Sequence, residues 1–412
     1  MSSADCSRIE ALVAAAQPRA VEFLRELVRV PTDTPPGNNA PHAGRAAALL
    51  EAMGFEVERH AVPQAAVSAH GLVSVTNLIV RHRFGDGPVF ALNAHGDVVP
   101  PGDGWTRPPY AGEIADGRMF GRGVAVSKSD FATYAFALDA LKKFAAEGRE
   151  LRGTVELHFT YDEEMGGELG PGWLIASKLT EPDFVICAGF SYAIVVAHNG
   201  SLHLEVTVLG RAAHAAIPGT GVDALKAAAG VMQDIYAEAA GYAKRRSAVP
   251  GITSPTLNIG RIEGGINTNV VPDRVTFKLD RRMIPEEDPA EVEAGLRSLI
   301  EQSAGKYPGV KVEIRRLLLA RALKPLPGHE KLVAALQNHA NRIMGETVSP
   351  TGTPLYTDAR LYAEAGVPVV LYGAGPRSIE EANAKRPDEN LLLDDLRKAT
   401  AVVACALGDL LS

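Results

Sequence analysis

Two kinds of strand share this chain, and they need different surroundings. Residues 89–94 and 184–187 are nearly unbroken apolar runs, VFALNA and FVIC, which suit strands covered on both faces. In residues 202–208, by contrast, Leu202, Leu204, Val206 and Val208 alternate with His203, Glu205 and Thr207, the pattern of a sheet with one wet face. Around the first kind, helical periodicity is read at residues 8–30 with Pro18 as an interruption, and at 42–53, 129–147, 330–344 and 394–411. Strand and helix alternate there, so that part is α/β. Around the second kind, helices at 223–242 and 289–303 and strands at 256–262, 275–279 and 310–315 make a two-helix, four-strand unit. A chain of 412 residues exceeds what one core organises. The expected fold is therefore a discontinuous α/β domain, residues 1–199 and 318–412, with a mixed, mostly parallel sheet, split by an inserted α+β domain at 200–317.

Composition narrows the partners. With 46% hydrophobic and 22% charged residues the chain is an ordinary globular one with material for a large core. A formal net charge of −7 argues against binding nucleic acid or anionic membrane, both of which need a basic face, and leaves a small molecule as the expected partner. Cys6, Cys187 and Cys405 show no paired spacing and read as free thiols in a reducing compartment. The first residues interleave charges with apolar positions and contain no signal core, and no apolar stretch approaches the ~20 residues of a membrane span. A cytoplasmic protein is expected.

Three strings carry chemistry, and two follow apolar strands of the α/β part, where open sheets place their sites. Asn93-Ala94-His95-Gly96-Asp97 sets a carboxylate two residues beyond a His, an arrangement that can orient a metal ligand, although alone it is more often a structural hydrogen bond. Asp162-Glu163-Glu164 gathers three acids that repel one another unless a cation or a reaction uses them; the plain alternative is a solvated acidic turn. His214, in Gly210-Arg-Ala-Ala-His214-Ala-Ala-Ile-Pro218, closes the alternating strand, where a ring N–H can serve a developing oxyanion, as most loop histidines do not.

In order and spacing these strings, with GWTRPPYAGEIADGRMFGRG, GGINTNVVPDRVTFKLDRR and YTDARLYAEAGVPVVLYGAGP, resemble the M20 family of metallopeptidases and deacylases over nearly the whole chain. The resemblance implies a hydrolase of an amide, N-acyl or related C–N bond in a small carboxylate-bearing substrate. It makes the inserted unit a lid and dimerisation domain, and a homodimer the expected assembly. It implies that His95 binds metal, that Asp97 orients it, that Glu163 is the general base and that Glu164 is the next metal ligand. His214 would stabilise the oxyanion, reaching the partner subunit's site in dimeric members. Asn269 and Arg282 would hold substrate oxygens, an Arg fork being suited to a carboxylate. Glu163 is thus expected to face a cleft between the two domains, with Arg282 near its mouth.

The chain departs from the family pattern where the metals should sit. Val126 stands where the resemblance implies the bridging Asp, Gly189 where it implies an acidic ligand, and Lys385 where it implies the last His. Each of two metals would keep one protein ligand of three, whereas catalytic zinc takes about three. At most one weakly bound zinc or manganese ion, on His95 and Glu164, is expected. Lys385 is expected within ion-pairing reach of Glu164 or Glu163, as a fixed cation in the metals' place. Two other readings stay open: a metal-independent isomerase or lyase using Lys385 and Glu163, and a non-catalytic binding homologue.

Overall fold

One apolar stripe carries the first helix straight through a proline. The computed structural model describes residues 1–412, and its first helix is continuous over Ser3–Val28, with Pro18 inside it rather than interrupting it. A proline in a helix interior costs roughly 3 kcal/mol. Ile9, Val13, Phe23, Leu24, Leu27 and Val28 are all buried on that helix. At roughly 1.5–3 kcal/mol for each such side chain, packing exceeds the cost. The start is fixed by Ser2 and Asp5, which form a capping box.

The chain forms two compact units: Met1–Val196, Pro325–Thr351 and Thr357–Ser412 make the first, and Ala197–Lys324 with Gly352–Tyr356 the second. An eight-stranded sheet runs in the order Val57–Ala61, Thr76–Arg83, Thr154–Thr160, Val89–His95, Phe184–Cys187, Val369–Leu371, Ile194–His198, Pro350–Thr353. Thr154–Thr160, Val89–His95, Phe184–Cys187 and Val369–Leu371 pair in parallel, and antiparallel pairs flank them. Val89–His95 is buried from its second residue onward, as its apolar run requires. The helix Lys128–Ala146 is buried almost all round and packs against Ser3–Val28 and Leu393–Leu410. Its Phe131 stacks on Phe159 with centroids 3.9 Å apart, which seats the helix start beside the end of the strand Thr154–Thr160. His95 is paired with Thr160 in the same parallel register, so the segments that follow the two strands leave the sheet side by side.

The second unit holds a four-stranded antiparallel sheet in the order Thr256–Gly264, Arg274–Met283, Gly200–Leu209, Lys311–Ala320. Leu202, Leu204, Val206 and Val208 face a core completed by Ala227, Val231 and Ile235 of the helix Ala224–Ala239 and Leu296 and Ile300 of the helix Pro289–Ala304.

Candidate active site

The carboxyl ends of adjacent parallel strands gather the first unit's ionisable residues. His95 ends one strand, and Asp97 turns back beneath it: His95 Nδ1 lies 3.0 Å from the Asp97 carbonyl oxygen and 3.4 Å from its Oδ1. Gly96 between them has no room for a side chain, since a Cβ there would meet the Tyr161 ring at 2.5 Å. The fully buried Asp97 carboxylate also accepts the backbone N–H groups of Glu163 and Glu164, at 3.3 and 3.1 Å. One side chain thereby fixes both the imidazole and the acidic turn Glu163–Met165. Glu163 Oε2 lies 3.8 Å from His95 Nε2.

The charges here depend on one another. Burial opposes a charge on His95, but Glu163, Asp97 and Glu164 outweigh it and push the imidazole up to about 10. Burial pushes the Glu163 carboxyl up to about 7, Glu164 and Asp97 adding to the rise while His95 and Lys385 oppose it. Asp97 sits below the usual carboxylate range, because hydrogen bonds from His95 and the backbone outweigh its burial. At neutral pH the cluster therefore holds an imidazolium, an ionised Asp97 and a Glu163 poised between its two protonation states. A group in that last condition can both take and return a proton.

Lys385 Nζ donates to Glu164 Oε2 at 2.6 Å. Its pKa is raised: burial works against the ammonium, but Glu164 and Glu163 prevail. The lysine stands on a backbone with φ +61°, a left-handed conformation that is uncommon for a side chain of this size. The loop that holds it so is pinned four residues on by Glu389. That carboxylate takes a 2.6 Å bond from Arg122 and accepts the N–H groups of Gly123 and Ala125.

Two buried carboxyl groups lie outside the residues singled out from sequence. Asp358, at the start of the helix Ala359–Glu364, is buried, one of its oxygens has no hydrogen-bond partner, and its pKa is raised by burial and by Glu163. In the sequence, its signal is the stretch Thr357-Asp358-Ala359-Arg360. Asp130, in the first turn of Lys128–Ala146, accepts from Ala374 N–H at 2.6 Å and from Gly189 N–H, while burial pushes it up to about 7. Gly189 thus acts through its backbone. A side chain there would strike the backbone of Leu371 and Tyr372 at 2.8 Å.

In the second unit, His214 lies on the short strand Ala213–His214, paired with Val270–Val271, and Asn269 accepts the next N–H, that of Ala215, at 3.0 Å. His214 Nδ1 accepts from Ala216 N–H at 3.0 Å, which leaves the ring proton on Nε2 of an exposed imidazole. Arg282, on Arg274–Met283, donates through Nε and Nη2 to Asp280 Oδ2 at 3.0 and 2.9 Å, and its guanidinium lies 5.5 Å from the centre of the Tyr356 ring. The structure therefore assembles His95, Asp97, Glu163, Glu164 and Lys385 in one unit, and in the other it sets His214 on a short strand and Asn269 in the turn just before the strand paired with it.

The donor set does not fit the dinuclear metal centre that the resemblance implies. Val126 has no donor and packs against the core, Gly189 has no room for one, and the Lys385 ammonium has no lone pair and occupies Glu164.

Comparison with known proteins places this geometry. A succinyl-diaminopimelate desuccinylase from Rhodospirillum centenum is 29% identical over 405 residues, covering 95% of this chain and 97% of that one. An acetylornithine deacetylase from Myxococcus xanthus is 29% identical over 389 residues, covering 93% and 96%. Among solved structures, a dipeptidase from Saccharomyces cerevisiae superimposes with a TM-score of 0.77 at 16% identity, over 99% of this chain and 98% of that one. These relatives are hydrolases of C–N bonds. The sequence pattern of peptidase family M20/M25/M40 matches residues 91–409, and the chain belongs to that family.

Proposed function

We propose that this protein hydrolyses an amide or N-acyl bond in a small carboxylate-bearing substrate, with fixed cations in place of the family's metals. The observation that carries the reading is the pairing of Lys385 with Glu164 beside a buried Glu163 and His95. Glu163 takes a proton from water as the water oxygen bonds to the substrate carbonyl carbon. The same proton passes to the amine nitrogen as the C–N bond breaks, giving a carboxylate and an amine. The Lys385 ammonium and His95 imidazolium offset the negative charge that develops on the carbonyl oxygen, and His214 Nε2–H donates to it. Arg282 and Asn269 hold the substrate's carboxylate or amide oxygens. The 29% identity to a desuccinylase and to a deacetylase supports N-acyl amino acids as the substrate class.

The assembly we propose is a homodimer through the second unit. Thr256–Gly264 is an edge strand whose outer side carries no partner in its sheet, and Ile262 and Ile266 are exposed beside it. A monomer in sedimentation at micromolar concentration would contradict this. A reducing, cytoplasmic setting is proposed from the three cysteines, all free. No helix is long and apolar enough to cross a membrane.

The test is a panel of N-succinyl, N-acetyl and dipeptide substrates, assayed for released amine. Turnover that disappears in Glu163→Gln supports the reading. A Glu163→Gln protein with full activity, or a wild type inert across the panel while isomerising or eliminating a carboxylate substrate, would end it.

A further inference from the structure

Away from the acidic site, three helices of the first unit bring together a second set of ligand-type side chains. Cys6 lies on Ser3–Val28, His339 on His329–Met344 and Cys405 on Leu393–Leu410, and one donor atom of each lies within 4.8 Å of the others. All three residues are buried. His339 Nε2 is 2.7 Å from Asp409 Oδ2, while its Nδ1 is buried with no hydrogen-bond partner. In the tautomer that donates Nε2–H to Asp409, the Nδ1 lone pair is available to a ligand. A carboxylate behind an imidazole whose other nitrogen is free is the arrangement that orients metal-binding histidines. Cys405 Sγ lies 3.8 Å from the Cys6 carbonyl oxygen. The same helix seam is clamped one turn away by Arg342 and Glu10, 2.7 Å apart.

We propose that Cys6, Cys405 and His339 form a structural site for one thiophilic divalent ion, zinc by its chemistry. Both thiols release their protons to solvent on binding, the two thiolates neutralise the dication, and the neutral imidazole adds no charge. The resulting site is uncharged, as its buried surroundings demand. Zinc sits about 2.3 Å from sulfur and about 2.0–2.1 Å from nitrogen, so the three donors close in on the ion by on the order of 1 Å. The Cys6 carbonyl oxygen or a water completes four-coordination. Bound there, the ion ties the amino-terminal helix to two helices from the far end of the chain and stabilises their packing.

The experiment is titration of the reduced, chelator-treated full-length protein with cobalt(II), which reports thiolate ligation through a sulfur-to-metal charge-transfer band. One equivalent with that band is expected, together with a rise in melting temperature on adding zinc but not magnesium. The band should vanish in Cys6→Ser and in Cys405→Ala, persist in His95→Ala, and form with about 10–100-fold weaker affinity in Asp409→Asn. Circular dichroism confirms that each variant is folded, and the wild-type band needs no variant at all. Cobalt bound without a charge-transfer band, a band that survives both cysteine substitutions, or no binding would overturn the proposal.

Discussion

The loop that carries Lys385 and Glu389 makes two ion pairs four residues apart, and they are built differently. Glu389 and Arg122 leave 2% and 1% of their side chains exposed, and Glu389 is also held by two backbone N–H groups. Lys385 is 50% exposed while its partner Glu164 is 7% exposed. Where both partners are buried, loss of one strands a charge in a low dielectric, so the pair acts as a latch on the Gly121–Gly123 turn. Where the cation reaches water, it can turn away to answer a substrate, although the buried carboxylate it leaves still calls for a positive partner. The difference teaches that burial of the second partner separates a structural pair from a chemical one.

The largest expected effect lies at the chemical end. Glu163→Gln should lower kcat by about 10²–10⁴-fold, the range of general acid–base catalysis, with little change in melting temperature. At the structural end, Arg122→Met should cost about 3–5 kcal/mol in denaturant unfolding, because Glu389 is then buried without its cation. Lys385→Met should reverse that balance. Its stability loss should be the smaller of the two, because water reaches the half-exposed Lys385 end of the pair, while kcat/KM falls on the order of 10-fold, the worth of one charge-assisted hydrogen bond. Equal stability losses for the two variants would break the comparison.

The smallest effect is a shift in pH dependence. Glu163 works as a base when deprotonated, so the rate should fall as pH drops through about 7. His95 assists as an imidazolium, so the rate should fall again as pH rises through about 10. Lys385 opposes the rise of the Glu163 pKa, so its removal should move the acid limb to higher pH. An acid limb that stays in place in Lys385→Met would show that the ammonium does not act on Glu163.

Much of the site was legible because strand ends write their chemistry in adjacent residues. His95, Asp97, Glu163 and Glu164 follow apolar runs, and the parallel register of His95 with Thr160 then brings them together. Pairings across the chain were less so. Lys385 and Glu164 are 221 residues apart, and only the offset of a known pattern joined them. The latch of Glu389 on Arg122, 267 residues away, and the burial of Asp130 left no local signal. Cys6 and Cys405, 399 residues apart, read as unrelated thiols because helix packing rather than spacing makes them neighbours. Periodicity misjudged Pro18 because a local breaker was weighed without the stripe that overrides it. The strand Pro350–Thr353, with the sequence PTGT, passed unnoticed for want of any apolar pattern.

The central claim is that fixed cations have replaced a metal pair beside Glu163. Its most direct test is hydrolysis by protein that has been dialysed against chelator and analysed for metals. The account expects turnover to persist with no more than the single ion held by Cys6, Cys405 and His339. Two zinc or manganese ions per chain that remain bound in a Cys6→Ser, Cys405→Ala protein, with activity lost on their removal and restored on their return, would contradict it.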